Sequence, residues 1–324
     1  MNQKFSDFIA KYNGAKMAVA VSGGVDSMCL LYWLHECGAD IICLHVNHQL
    51  RPEADTETEY VKDVCKKLNI PCHIFYWTDE KPENGLEAAA REARYKMMTD
   101  FCLENNIEYL LTAHQSDDQI ETFLMNLSRG SGLYGLAAMM PETERNGVKI
   151  LRPLLNVSRD EIKQYCDDNN IKYFVDSMNS DEHYTRVKIR KNRHLLNDEL
   201  GISDARLLLA IQNLGRTREW MDKYVAARIE MVSRSWGALF VASFLFDEAE
   251  EIRLKFLGTL IQKIGGDVYP VRLNSLQNAL SRLGADCKFT LGHCTIRRLN
   301  DRILIVPEGR RTSFRKRHEK RKHF

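Results

Sequence analysis

The stretch that decides the fold is AVAVSGGVDSMCLLYWL, residues 18–34. It begins with small and branched apolar residues, which are typical of a buried strand, and it ends in an apolar helical pattern. Between them stands Ser22-Gly23-Gly24-Val25-Asp26-Ser27, which we call the phosphate loop. Glycines let the backbone turn tightly, so that N–H groups at the start of the helix point at one anion, and the two serines add hydroxyl donors. We therefore predict that all six residues bind a phosphate.

Asp26 is the unusual member of the phosphate loop, because a carboxylate repels a phosphate. A divalent cation between the two groups, most simply Mg²⁺, resolves the conflict. Asp26 is therefore predicted to hold the metal and to take part in catalysis. The loop matches neither G-x-x-x-x-G-K-S/T nor G-x-G-x-x-G. The alternative is an ordinary tight turn with a Ser/Asp cap, and the order of strand, loop and helix argues against it.

Strand and helix patterns alternate through the first half of the chain. Predicted strands cover residues 17–21, 41–46, 73–77, 109–113 and 172–175, with helices between them. This order favours an α/β fold with a mostly parallel, doubly wound sheet. Beyond about residue 190 the pattern changes to long helices and then to a β-hairpin that turns at Asn300 and Asp301. We predict one domain over residues 1–195 and a second, mainly helical domain over residues 196–324 that carries the small β-hairpin and a basic tail.

Composition and charge exclude several classes of protein. The 324 residues contain no apolar run near the roughly 20 residues of a membrane span, and the start has no apolar segment of a secretory signal. Nine cysteines without a C-x-x-C pair indicate reduced thiols in a cytoplasmic protein, mostly used in packing. The end, GRRTSFRKRHEKRKHF, has one acid, Glu319, among many basic residues. This tail either contacts nucleic acid or is a solvated end.

Further stretches follow the phosphate loop in a characteristic order. They are LHVNHQLRPEAD (44–55), LEAAAREARYKMM (86–98), LLTAHQSDDQIETFLMNLSRGSGLYGLAAM (110–139), LRPLL (151–155) and DSMNSDEHYTRVKIRKN (176–192). The loop resembles that of the N-type ATP pyrophosphatases, or PP-loop ATPases, which include GMP, NAD and asparagine synthetases. Together the stretches resemble the tRNA(Ile)-lysidine synthetases over most of the first 195 residues. This resemblance implies a Rossmann-like fold, the substrates ATP and free L-lysine, Mg²⁺, and a tRNA(Ile) with a CAU anticodon. It implies no membrane partner and leaves a homodimer open.

An acidic cluster begins one of the predicted helices. Asp117 and Glu121 lie four residues apart and Asp118 and Glu121 three apart, on a face other than the apolar one. Like charges at this spacing are unfavourable unless a cation joins them, and a lysine ammonium or Mg²⁺ would be such a cation. The resemblance implies that Asp118 and Glu121 bind the substrate lysine and act in catalysis, with Asp117 beside them. The alternative is an acidic helix start that the helix dipole favours.

Histidines and arginines complete the candidate site. His45 is expected near the nucleotide and His48 near the substrate or packed, while a metal pair of the two lacks further ligands. The resemblance implies that Arg91 and Arg94 contact ATP or tRNA, and the alternative is a solvated helix face. It also assigns substrate binding to two arginines near residue 190, where Val187 stands in place of the family's asparagine. These arginines are Arg186 and Arg190.

The resemblance implies a reaction in two steps. O2 of the wobble cytidine attacks the α-phosphate of ATP, and the ε-amine of lysine then displaces AMP from C2, which gives lysidine. Two alternatives remain. A tRNA thiolase of the same fold typically needs paired cysteines; no C-x-x-C is present, but scattered cysteines can still converge in space. A non-catalytic module that binds ATP or RNA is the other alternative.

Overall fold

The computed structural model describes residues 8, 10–12, 14–50, 53–79, 81–82, 85–174, 185–266 and 270–309. The chain divides into two compact units, residues 1–215 and residues 216–324. The domain division at residue 195 stays a prediction. Residues 310–324 of the basic tail lie outside the described residues. Within the described part of the chain, no helix has both the length and the apolar character that crossing a membrane requires.

The first unit is built on a six-stranded sheet in the order β3-β2-β1-β4-β6-β5. All neighbouring strands run parallel except β5 and β6. Its strands are β1 (Met17–Ala20), β2 (Ile41–Asn47), β3 (Cys72–Tyr76), β4 (Tyr109–Leu111), β5 (Glu142–Arg145) and β6 (Val148–Leu151). The predicted α/β fold with a mostly parallel sheet is confirmed.

Helices connect the parallel strands and cover the sheet. They are α1 (Val25–Glu36), α2 (Glu53–Lys67), α3 (Leu86–Glu104), α4 (Ser116–Ser128), α5 (Leu133–Leu136), α6 (Arg159–Asp168), α7 (Thr185–Asn192) and α8 (His194–Leu200). Successive residues of β1 point to opposite faces, so Val19 packs in one core with α1 and α2 while Ala18 packs in another with α3. The sheet is therefore buried on both faces, as parallel sheets generally are.

The strand order fixes where a ligand can bind. β1 lies between β2 and β4, so the connections after β1 and β4 leave the same edge of the sheet in different directions. Such a reversal of strand order is where open α/β sheets bind ligands. It brings the phosphate loop, which follows β1, and the acidic start of α4, which follows β4, to one edge.

One predicted strand differs from the structure. Residues 172–174 form no strand; Phe174 makes an isolated parallel bridge to Gly24, and its N–H donates to the carbonyl of Gly23 (3.0 Å). Residue 175, the last of the predicted strand, lies outside the described residues. The hairpin of β5 and β6 was not predicted, and helix α3 begins after Gly85 in a left-handed conformation (φ 73°).

The second unit carries an antiparallel sheet in the order β7-β8-β11-β10-β9. Its strands are β7 (Ser233–Arg234), β8 (Gly237–Val241), β9 (Cys287–Leu291), β10 (Cys294–Leu299) and β11 (Arg302–Pro307). The predicted hairpin at Asn300 is confirmed, because Leu299 pairs with Arg302 across it. Another turn at His293 divides the first half of the predicted hairpin into two strands.

The helices of the C-terminal region agree with the predicted helical pattern. Residues 204–232 form one uninterrupted helix, within which the boundary between the two units falls. The helices are α9 (Asp204–Val232), α10 (Ala242–Phe246), α11 (Glu250–Gly265) and α12 (Leu273–Arg282). The second unit is therefore helical with a five-stranded sheet, which is larger than the small hairpin that the sequence predicts.

Candidate active site

The phosphate loop is held in shape by its own serines. The backbone N–H of Ser22 donates to Oγ of Ser27 (3.1 Å), and Ser27 Oγ donates to the carbonyl of Gly24 (3.0 Å). Gly23 has a φ of +88°, which a residue with a Cβ rarely adopts. Gly24 is the N-cap of α1 and supplies no side-chain cap, so the first N–H groups of the helix remain for an anion. The local geometry thus fits the predicted phosphate site.

Asp26 is a partly buried carboxylate in this loop, and its buried Oδ1 accepts no hydrogen bond from any described residue. Burial, with a smaller contribution from the nearby Asp118, raises the pKa of Asp26 to about 6. An unpartnered buried oxygen is costly unless a cation or donor satisfies it. Because a carboxylate is also a preferred ligand of Mg²⁺, Asp26 fits the predicted cation.

The start of α4 shows that Asp118 also has a structural task. Asp118 Oδ2 accepts from the backbone N–H of Gln115 (3.1 Å), while Gln115 Oε1 accepts from the N–H of Asp117 (2.6 Å). This reciprocal pair is a capping box, in which the acid stabilises the first turn of its own helix. Burial raises the pKa of Asp118. The acidic helix start and the substrate-binding carboxylate are therefore compatible roles of one residue.

Glu121 lies one turn further along α4 and is completely buried. Its Oε1 accepts from Nε of Arg190 (2.8 Å), and none of the residues that the structure describes donates to its Oε2. Burial raises the pKa of Glu121, and the hydrogen bond from Arg190 partly opposes that rise. Glu121 thus already holds one cationic group and keeps an acceptor for another.

Arg193 joins this cluster although the sequence did not single it out. Its Nη2 lies 3.3 Å from Asp117 Oδ2 and 3.1 Å from Asp204 Oδ2. The sequence contains a pattern that could have identified Arg193. Arg186, Arg190 and Arg193 are spaced by four and three residues, as on one side of a helix. Arg190 and Arg193 also line a cavity of about 460 Å³. Val187, in place of the expected asparagine, is buried on α7.

A larger cavity of about 620 Å³ opens beside the phosphate loop. Its lining includes Ser22 and Asp26 at the loop, apolar groups such as Leu44 and Val46 on β2, and Arg94 on α3. Polar loop residues, apolar walls and basic groups in one concave space are the features of a nucleotide site. The cavity therefore brings together the phosphate loop and residues from two other predicted stretches.

His45 lines this cavity, but both of its ring nitrogens bond to the protein. Nδ1 lies 2.8 Å from the carbonyl oxygen of Val21, and Nε2 lies 3.0 Å from Oγ1 of Thr58. Burial lowers the pKa of His45, so the ring is neutral. Because a carbonyl only accepts, Nδ1 carries a proton and donates to Val21, while the Thr58 hydroxyl beside Nε2 also donates to the carbonyl of Ala54 (2.7 Å). His45 thus braces the residue before the phosphate loop.

The other predicted histidine and arginines lie around the same space. His48 lines the cavity with its ring edge against Trp77, and burial lowers its pKa to about 4. The guanidinium groups of Arg91 and Arg94 lie 5.3 and 5.6 Å from the ring centre of the buried Tyr95. Both arginines are partly buried, which differs from a fully solvated helix face.

Three further residues at this cavity were not predicted. Arg159 and Lys163, on α6, line it together with the phosphate loop, and no described residue bonds to the buried Nε of Arg159. The charge of Arg159 partly opposes the rise in the pKa of Asp26. His114 also lines the cavity, and burial together with nearby arginines lowers its pKa to about 3. Arg159 and Lys163 lie outside the characteristic stretches, so only the fold reveals them, whereas His114 lies within residues 110–139 but was not singled out.

The fold and the cavity define a PP-loop ATP-binding protein, and the family model of the PP-loop domain matches residues 1–197. A tRNA(Ile)-lysidine synthase of Wolbachia pipientis wMel is 35% identical over 315 residues, which cover 93% of this chain and 72% of the relative. One from Ruegeria pomeroyi is 34% identical over 305 residues, which cover 92% and 70%. The chain belongs to the tRNA(Ile)-lysidine synthase family of PP-loop proteins.

A solved structure shares the fold at lower identity. The U34-tRNA thiolase NcsA from Methanococcus maripaludis aligns with a TM-score of 0.55 at 18% identity, over 66% of this chain and 78% of that one. At this identity the likeness shows the fold alone. The family assignment confirms the predicted resemblance, the prediction of a lysidine-forming enzyme and ATP as its substrate. The roles of the individual site residues stay predictions.

Proposed function

We propose that this protein joins the ε-amine of free lysine to C2 of the wobble cytidine in a tRNA(Ile) with a CAU anticodon. The reaction uses ATP with Mg²⁺ and releases AMP and pyrophosphate. The observation that carries the residue assignment is a pair of buried carboxylate oxygens to which no described residue donates, on Asp26 in the phosphate loop and on Glu121 in α4. One is suited to a metal ion beside phosphates and the other to a substrate ammonium.

The first step is adenylation of the base. The N–H groups at the start of α1 hold the phosphates of ATP, with Ser22 and Ser27 beside them. O2 of the cytidine attacks the α-phosphorus, and the bond to the bridging oxygen breaks, so pyrophosphate leaves toward the loop. Preorganised N–H donors stabilise the charge that develops on the phosphate oxygens. Asp26 would hold Mg²⁺, which when bound would supply charge that neutralises the phosphates.

The second step is attack by lysine. Its ε-amine forms a bond to C2 of the activated base as the bond from C2 to the AMP oxygen breaks. The attacking amine must lose protons, and a carboxylate of α4 accepts one. Burial raises the pKa values of Asp118 and Glu121, which makes both better bases near neutral pH. Glu121 first binds the lysine ammonium through the oxygen that Arg190 leaves without a partner.

The basic groups supply the contacts to RNA. Arg91, Arg94 and Arg186 carry positive charge that suits phosphate oxygens. The basic tail, residues 310–324, adds affinity that falls with salt, since its charges release counterions from the RNA. A wobble base in a single-stranded loop can be splayed into the cavity at low cost. We also propose that the protein acts in the cytoplasm, and a homodimer stays a prediction.

The test is mass spectrometry of the nucleosides from an unmodified tRNA(Ile) after incubation with protein, ATP, Mg²⁺ and lysine. Lysidine should form only when all components are present. Controls omit lysine or ATP, or replace the tRNA with one that carries cytidine 34 but a different identity. A thionucleoside formed when a sulfur donor replaces lysine would instead assign the thiolase reaction. Pyrophosphate release that does not depend on tRNA would contradict the adenylation step.

A further inference from the structure

Three cysteines outside the candidate active site meet against one face of the sheet. Cys43 is on β2, Cys65 on α2 and Cys72 on β3, and their Sγ atoms all lie within 4.8 Å of one another. We call them the cysteine triangle. In the described residues no other group of three or more histidine, cysteine or acidic side chains brings its ligand atoms so close. The cysteines that seemed scattered in the sequence therefore converge in space.

We propose that the cysteine triangle binds a thiophilic metal ion such as Zn²⁺. Three points that are mutually within 4.8 Å share a common point no more than about 2.8 Å from each of them. A zinc–thiolate bond is about 2.3 Å long. Small side-chain rotations thus bring all three sulfurs to bonding distance without movement of β2, β3 or α2.

Access and coordination number agree with such a site. Cys43 and Cys65 are buried, whereas Cys72 is partly exposed at the start of β3. An ion can enter on the side of Cys72, and a water molecule can take the fourth tetrahedral position there. Three protein ligands with one water are a known arrangement for zinc, and thiolate ligands select soft ions over Mg²⁺.

Metal binding would release protons from the triangle. The thiolate, and not the thiol, is the ligand of a metal ion, so up to three protons pass to solvent as three metal–sulfur bonds form.

Core packing is the competing explanation, because a free cysteine also behaves as a small apolar residue. The two explanations differ in one measurable property, which is affinity for metal. The full-length protein, reduced and freed of metal under anaerobic conditions, is titrated with Co²⁺ and then with Zn²⁺. Thiolate-bound Co²⁺ shows sulfur-to-metal charge-transfer absorption that unbound Co²⁺ lacks. We expect this absorption to saturate at one equivalent and to disappear when Zn²⁺ is added.

Two variants and a control make the test specific. Cys72→Ser removes a partly exposed ligand without opening the core, and it should weaken Co²⁺ binding at least tenfold, about what even a second-shell change costs a metal site. Cys72→His keeps a ligand and should retain binding with weaker charge-transfer absorption. Cys102→Ser alters a buried cysteine on α3, outside the triangle, and should bind Co²⁺ like the parent.

Several results would overturn the proposal. One is the absence of charge-transfer absorption from the reduced, folded parent protein. Another is equal Co²⁺ affinity in the parent and in Cys72→Ser, because the ion would then be bound elsewhere. A mass lower by two hydrogens after isolation without reductant, lost in Cys72→Ser, would identify a disulfide in place of a metal site. None of these readouts depends on lysidine formation, so the failure of one proposal is separable from the failure of the other.

Discussion

The phosphate loop and the acidic start of α4 lie at the same edge of the sheet, but they are held in place differently. The loop is braced by residues within the same six positions, chiefly Ser22 and Ser27. The carboxylates of α4 are instead balanced by arginines about 70 residues further along the chain, as in the pair of Glu121 and Arg190. The proposed phosphate site therefore depends mainly on a contiguous motif, whereas the proposed lysine site requires correct packing between α4 and α7.

The largest effect should come from a substitution of Asp26, which tests the role of the phosphate loop. Asp26→Asn keeps the shape of the side chain and removes its charge, so the cation loses its ligand beside the phosphates. We expect tRNA-dependent release of labelled pyrophosphate to fall by about 10³-fold, or about 4 kcal/mol. Asp63→Asn, an exposed acid on α2, is the control and should leave the rate unchanged. If a folded Asp26→Asn protein adenylated the tRNA at nearly the parent rate, Asp26 would not be a metal ligand.

The second effect separates the two regions by reaction step. Glu121→Gln removes the charge that binds ammonium, so lysine transfer should fall by about 10²-fold while adenylation changes by less than about threefold. Rapid-quench trapping of the adenylated tRNA measures both steps. Glu59→Gln breaks an exposed ion pair with Lys62 and is the matched control. Equal loss of both steps would mean that Glu121 supports the fold or a metal and does not bind lysine.

The third effect is a dependence of stability on pH. The carboxyl of Asp26 has its pKa raised from 3.8 to about 6 in the folded protein. A carboxyl whose pKa is higher in the folded protein than in the unfolded chain stabilises the fold most at a pH below its unfolded pKa. This stabilisation is lost as the pH rises through the folded pKa. Without Mg²⁺, Asp26→Asn should therefore gain stability relative to the parent between about pH 4 and pH 6, by about 3 kcal/mol.

Urea unfolding at several pH values measures this difference. Mg²⁺ added to the parent should lower the pKa of Asp26 and reduce the gap between the two proteins. Asp63→Asn again serves as the control and should follow the parent at every pH. If the difference in stability between the two proteins did not change with pH, Asp26 would not have a raised pKa. If Mg²⁺ did not change this difference, the buried oxygen of Asp26 would not be a metal ligand.

The smallest effect concerns the two tasks of Asp118. Asp118→Ala removes the capping box of α4, and Ser158→Ala removes the equivalent box at the start of α6. Each change should lower the free energy of unfolding by about 1 kcal/mol. Only Asp118→Ala should also slow lysine transfer, and Asp118→Asn, which keeps an acceptor for the cap, should recover stability without recovering the rate. Unchanged transfer in Asp118→Ala would leave Asp118 with a structural role alone.

The sequence by itself determined the features that depend on neighbouring residues. The turn that leads from β1 through residues 22–27 into α1, and the hairpin at Asn300, were both predicted and observed. Each depends on backbone conformations and hydrogen bonds among residues a few positions apart, so a short pattern is sufficient. The alternation of apolar strands and helices likewise predicted the parallel sheet, because crossovers between parallel strands follow few rules.

Other features were decided only by tertiary structure. Arg159 joins the phosphate loop across more than 130 positions, and Arg193 reaches Asp117 across 76. The cysteine triangle shows no spacing pattern, since its members come from two strands and a helix. A surface arginine and a buried one look alike in a sequence, as do a packing cysteine and a metal ligand. What separates them is the burial and charge that distant segments impose when the chain folds.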